Sequence, residues 1–207
     1  MKSTLKKSLF ALAVAASFAA PAQADEIRFE TGYTTNWQEI SPTFGSVAGL
    51  LDVSYLDPQR STNSFRFWAG DYSGRPAAFA GTTDGGSTGF ITLTPAAGNK
   101  VSLVSFFLGS YVNANRGTSY FIDDLATPGV DFASGAISVG APGLTVTSGI
   151  SSATGIRIGF GPNAYNVGIN NINFSVTPVP EPESYALLLA GLGLMGAVAR
   201  RRAKRMA

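Results

Sequence analysis

The chain contains neither cysteine nor histidine. Without cysteine there is no disulfide, no thiolate metal site and no thiol nucleophile. Without histidine the commonest general base and the commonest zinc ligand are both gone. No serine sits in a nucleophile elbow, and no glycine-rich loop carries a lysine for phosphate. Any catalysis would have to run on carboxylates alone, so a non-catalytic protein is expected. Charged residues are also few, at 14%. What fills the chain instead is glycine, 24 of 207 residues, with 45% hydrophobic and 11% aromatic content. That is the composition of a folded, turn-rich β domain and not of a disordered segment.

The net charge of +2 hides a division. Lys2, Lys6 and Lys7 open the chain, and Arg200, Arg201, Arg202, Lys204 and Arg205 close it. Between Asp25 and Pro178 only seven bases remain (Arg28, Arg60, Arg66, Arg75, Lys100, Arg116, Arg157) against eleven acids. The middle is therefore acidic, which argues against nucleic acid as a partner.

Both ends read as targeting segments. A basic start, an apolar run from Ser8 to Ala20 and the small residues of Ala22-Gln23-Ala24 give the three parts of a secretory signal peptide. Cleavage is expected after Ala24, with residues 1–24 removed by signal peptidase after entry through the Sec translocon. At the other end, Ser184 to Ala199 carry no charge. As a helix these residues rise about 24 Å, slightly short of a ~30 Å hydrocarbon core. The basic tail at 200–205 resists translocation and stays cytoplasmic. Both ends thus predict one topology: an inner-membrane-tethered precursor, its bulk outside, its helix at about 184–199.

The sequence Val179-Pro180-Glu181-Pro182-Glu183-Ser184-Tyr185, an apolar helix and then Arg200-Arg201-Arg202 resemble the PEP-CTERM sorting signal of Gram-negative bacteria. The same tail also carries the label of an ice-binding protein C-terminal domain, which says nothing about ice binding here. The resemblance covers 178–207. It implies recognition by exosortase, removal of the tail near Pro180-Glu181-Pro182, and release or attachment at the cell surface. It associates the chain with exopolysaccharide and biofilm. Two weaker resemblances to ectodomains of such proteins lie at Val101 to Asn115 and at Ile169 to Thr177; many relatives carry Asp where this chain has Asn170 or Asn171.

The middle, 25–177, alternates apolar and polar residues in short runs: 27–30, 50–55, 64–68, 89–94, 101–108, 144–147, 155–160 and 172–176. Turn residues separate them, as at Asp84-Gly85-Gly86 and Ala141-Pro142-Gly143. Eight or nine such strands predict an antiparallel β-sandwich, jelly-roll-like, with Val101 to Leu108 as a central core strand.

Several constellations could carry a function. Trp37, Trp68, Tyr72, Tyr111, Tyr120 and Tyr165 could form a platform on which sugars stack; core packing is the alternative for each. Trp68 follows Phe67, so alternation turns it away from the Phe65/Phe67 face. With Tyr72 it is the expected contact for extracellular polysaccharide. Asp123, Asp124 and Asp131 form the densest acidic group, and calcium takes such oxygen ligands, but their spacing matches no defined loop and a solvated turn is the alternative. Asp71 and Asp84 would be the pair in a carboxylate-dependent glycan hydrolase. Thr92/Thr94 and Thr145/Thr147 read as ordinary strand residues. Arg66 and Arg157 are expected to pair with acids on a solvated face.

Overall fold

The computed structural model describes residues 23–83, 85–127, 131–179 and 182–204. Eleven strands run in order: β1 (Gln23–Ile27), β2 (Leu51–Leu56), β3 (Arg66–Tyr72), β4 (Arg75–Phe79), β5 (Gly89–Pro95), β6 (Asn99–Ser110), β7 (Arg116–Asp124), β8 (Asp131–Val139), β9 (Leu144–Ser152), β10 (Ile156–Gly161) and β11 (Val167–Pro178). One helix, α1 (Pro182–Lys204), follows.

Two antiparallel sheets face each other. The first has the order β3-β4-β11-β6-β9, with β1 lying against β11; the second has the order β2-β5-β10-β7-β8. From β4 onward the chain alternates between the sheets, except for the β7–β8 hairpin, so that β4, β11, β6 and β9 oppose β5, β10, β7 and β8. This is the strand order of a jelly roll. As predicted, Val101 to Leu108 lies in an interior strand, between β11 and β9.

Alternation decides which side chains meet between the sheets. In β2, Leu51, Val53 and Tyr55 are buried while Asp52, Ser54 and Leu56 are exposed. Phe65, Phe67, Ile91, Leu93, Leu103, Phe106, Ile158 and Phe160 fill the same core. At about 1.5–3 kcal/mol for each fully buried large side chain, this layer is the main driving force for folding.

The pattern misses three strands. β4 contains Pro76 and two alanines, residues depleted in strands. β8 is an edge strand whose single buried residue is Val139, so its burial signal is faint. β7 opens with Arg-Gly and closes with two aspartates. The expected strand at 27–30 also shifts: β1 ends at Ile27, and Phe29–Thr31 wind into a 3-10 turn. The reason is Asn170, a buried residue in the bulge of β11. Its Oδ1 accepts the Phe29 amide at 3.2 Å, and its Nδ2 donates to Glu30 Oε2 at 2.8 Å and to the Pro76 carbonyl at 2.9 Å. Gln23 pairs with Val176, and the Val179 amide donates to the Gly98 carbonyl at 2.7 Å.

Candidate functional site

β3 and β4 build the base of an aromatic basin on the outer face of the first sheet. Phe67 points into the core and Trp68 outward, as alternation requires. Tyr72 ends β3, and Phe79 comes from β4. Tyr111 follows β6, and Tyr165 precedes β11. Trp37 arrives from a loop that runs beside β3. Its amide donates to the Phe67 carbonyl at 2.8 Å, the Phe67 amide donates to the Gln38 carbonyl at 2.9 Å, and Asn36 Oδ1 accepts the Ala69 amide at 2.7 Å. These bonds hold Trp37 at φ 70°, a left-handed conformation that a bulky side chain adopts at a cost of about 1–3 kcal/mol.

The rings pack edge to face. Trp37 lies 5.4 Å from Trp68 and 5.5 Å from Phe79, Trp68 lies 5.4 Å from Tyr111, and Phe79 lies 5.7 Å from Tyr165. Tyr72 is the floor. It is 2% exposed and stacks on Phe79 at 6.0 Å, and its hydroxyl donates to the Tyr165 carbonyl at 2.6 Å. Burial pushes the Tyr72 hydroxyl far above the usual phenol range, with Tyr165 and Tyr111 adding to the rise and Arg66 and Arg116 opposing it. Tyr72 therefore stays a neutral donor. The rim is open: Trp37 is 46% exposed, and Trp68, Tyr111 and Tyr165 are half-buried. The hollow between them has about 40 Å³, room for roughly one water molecule. A ligand would lie across the ring faces and edges and would not enter a pocket.

Of the six aromatics singled out from sequence, five meet here. Tyr120 does not; it packs 6.0 Å from Phe106 against the core. Phe79 is the member that sequence reasoning missed, because β4 itself carried too little strand signal. Tyr72, expected as a direct contact, lies beneath the surface and supports the rings above it.

The cationic surroundings separate the two strand arginines. Arg157 meets the expectation: its Nε donates to Asp123 Oδ2 at 2.8 Å and its Nη2 bonds the same oxygen. Arg66 does not. Its guanidinium carbon sits 4.6 Å over the Trp37 ring and 5.2 Å over Phe79, and its Nη2 donates to the Gly81 carbonyl at 2.7 Å. Its Nε is buried without a hydrogen-bond partner. Burial, and then Arg60, lower its pKa below the ordinary arginine value. Asp71, at φ 68° near the end of β3, lies 3.5 Å from Trp68 Nε1.

The three aspartates considered for calcium do not converge. The Asp123 carboxylate is committed to Arg157. Asp124 Oδ1 accepts from Ser152 Oγ at 2.6 Å, Thr154 Oγ1 at 2.9 Å and the Ala126 amide at 3.0 Å. Asp131 is exposed at the start of β8. Among the described residues no group of three or more acidic, histidine or cysteine side chains could hold a metal ion. For the hydrolase pair, Asp71 lies next to the end of β3, and Asp84 lies outside the described residues. So do Ala22, Pro180 and Glu181 of the two processing segments. Ala24 falls within β1 and Pro182 opens α1.

At the C-terminal end, β11 leads within a few residues into α1. Every described side chain of α1, from Ala186 to Ala203, is exposed, including Leu187, Leu189, Leu194 and the basic Arg200, Arg201 and Arg202. Among the described residues no helix is long and apolar enough to cross a membrane.

Comparisons with known proteins separate the two ends of the problem. No curated protein sequence matches the chain. Among solved structures, the chain is similar to the K1 cleaved adhesin domain of Lys-gingipain from Porphyromonas gingivalis, at 12% identity and a TM-score of 0.37, over 78% of this chain and 100% of that one. It is similar to the protein of a structure described as "CBM4 structure and function", at 12% identity and a TM-score of 0.29, over 62% of this chain and 87% of that one. It is also similar to TmCBM61 in complex with β-1,4-galactotriose, at 13% identity and a TM-score of 0.29, over 73% and 94%. Likenesses this weak carry no inference about a ligand. The match to the PEP-CTERM protein-sorting motif over residues 178–203 is of another kind, because it falls on the same Pro-Glu-Pro, apolar helix and arginine cluster that the sequence presents in that order. The chain is an exported protein that carries a PEP-CTERM sorting motif, and with it the address for the secretion pathway and for exosortase-directed processing.

Proposed function

We propose that this chain is a surface protein of the extracellular polysaccharide matrix, tethered by α1 to the inner membrane as a precursor, trimmed by exosortase, and binding carbohydrate without cleaving it. The observation that carries the binding reading is the aromatic basin. Five ring-bearing side chains, two from β3 and three from segments distant in sequence, converge with Phe79 on an outer sheet face. Aromatic faces pair with the apolar faces of sugars, and the open rim suits a chain lying across the surface. The tether is supported by α1, whose leucines are exposed among the described residues. Exposed apolar surface of that extent calls for a partner, and a bilayer is one that a signal peptide and a basic stop would supply.

Two measurements test this. Mass spectrometry of protein recovered from producing cells should show an N-terminus at Asp25 and a C-terminus near Pro180-Glu181-Pro182. A chain that still ends in its arginines would overturn the processing. Retention of the detergent-solubilised full chain on immobilised polysaccharides should fall at least about tenfold on Trp68→Ala, the scale of one lost stacking contact in a binding site. If the native protein is retained on no polysaccharide, the carbohydrate reading is wrong.

A further inference from the structure

The charge around the basin runs against the charge of the domain. Seven bases face eleven acids between Asp25 and Pro178, so each arginine has acids to choose from. Arg28, Arg60 and Arg157 do pair with carboxylates. Among the described residues Arg66, Arg75 and Arg116 form no ion pair, and the first two lie beside the rings of the basin. Arg66 stacks on Trp37 and Phe79. Arg75 is the cross-strand neighbour of Tyr72 and lies 4.5 Å over the Phe107 ring. Arg116 opens β7, five residues after Tyr111.

The unpaired charges are not simply dissolved in water. The Nε atoms of Arg66 and Arg116 are both buried without a partner, and leaving a charged group's donor unmade is costly. Glu39, the acid whose backbone pairs with Arg66, gives its carboxylate to Arg60. Asp71, weakly held near Trp68, puts a carboxylate at the rim, and the charges of Asp57 and Glu39 also reach Arg66 without forming an ion pair with it. With its face over the indole, its Nε buried and its Nη2 on the Gly81 carbonyl, Arg66 keeps Nη1 for a partner.

We infer that the basin takes an anionic polysaccharide, a chain of uronate-bearing sugars whose ring faces stack on Trp37 and Trp68 while a carboxylate meets the Arg66 edge. This rests on the carbohydrate reading of the basin and adds the sign of the ligand to it. A guanidinium nitrogen gives a carboxylate a charge-assisted hydrogen bond, about twice as strong as a neutral one. An anion would also neutralise charge that the protein itself leaves unpaired.

The test compares each acidic polymer with its own neutral form: polygalacturonate and alginate, each beside the carboxyl-reduced polymer, and dextran sulfate beside dextran. Affinity electrophoresis with the solubilised full chain reads all of them without any variant. Polygalacturonate or alginate should retard the protein, carboxyl reduction should weaken the retardation at least about tenfold, and raising salt should do the same. Arg66→Gln should remove most of the difference in retardation between the acidic and the reduced polymers. Equal retardation by acidic and reduced polymers would overturn the inference and leave the basin as a neutral-sugar site. Retardation by dextran sulfate alone would assign the anion as sulfate and overturn the uronate. Retardation by none would overturn the carbohydrate reading together with the inference.

Discussion

Arg157 on β10 and Arg66 on β3 begin from the same local position. Each sits on an outward face of a strand, and each lies over an aromatic ring, Phe90 at 5.5 Å for Arg157 and Trp37 at 4.6 Å for Arg66. They differ in what the next strand offers. The register of β10 against β7 puts Asp123 directly across from Arg157. The register of β3 against β4 puts Phe79 across from Arg66. One face of the sandwich therefore closes its charge within the protein, and the other leaves a cation among rings. The first arrangement belongs to stability; the second is what a binding surface keeps available for a partner.

The sharpest way to break this contrast is to remove each cation in turn. Arg157→Met leaves Asp123, a carboxylate 4% exposed with one oxygen already lacking a partner, without its counter-charge. Breaking a buried pair from one side should cost about 3 kcal/mol, read as a lowered urea midpoint. A smaller loss should come from below the basin. A Cβ at Gly109 would lie 2.5 Å from the Tyr72 carbonyl oxygen and 2.9 Å from its carbon. Backbone cannot swing aside as a side chain does, so Gly109→Ala should cost about 2 kcal/mol and weaken binding as well, because the floor of the basin must shift. Arg66→Met should do the least to stability, within about 1 kcal/mol of wild type, since it also removes an unmade buried donor. If Arg66→Met were as damaging as Arg157→Met, Arg66 would be structural and the contrast would fail.

The same two faces show how far sequence carries. Period-two alternation put Phe65 and Phe67 inside and Trp68 outside without any knowledge of the fold. It could not say that Trp37 and Tyr165, on chain segments far apart, would reach the same spot, because that depends on how β3, β4 and β11 pair. Nor could it place Tyr72, because the β3–β4 ladder shifts register between Trp68 and Tyr72 and the ring packs beneath its neighbours. β4 was invisible because Pro76, Ala77 and Ala78 carry no strand preference; the neighbouring strands and the Asn170 side chain hold it. The Asp123-Asp124 doublet looked like one acidic cluster because the two residues adjoin in sequence. In the strand they part, one to Arg157 and the other to Ser152 and Thr154. The sorting signal, by contrast, was legible in full, since it is read as a linear string and depends on no tertiary contact.

The effect smallest in size separates the partners of those two aspartates. Asp124 is held below the ordinary carboxylate range, first by the Ser152 hydroxyl and then by the Ala126 amide, with Thr154 adding a smaller share against a modest opposing effect of burial. A carboxylate whose pKa is lower folded than unfolded stabilises the fold fully above its unfolded value of about 3.9. That contribution is lost as pH falls through the folded value. Urea midpoints measured at pH 7 and at pH 3 should therefore differ more for the native chain than for Ser152→Ala, which lacks the largest of the depressing contacts. The variant should be less stable at pH 7 and should lose less on acidification. Equal acid losses in the two would mean that Asp124 draws nothing from the hydroxyl, and that the charge closing this face of the sandwich resides in the Arg157–Asp123 pair alone.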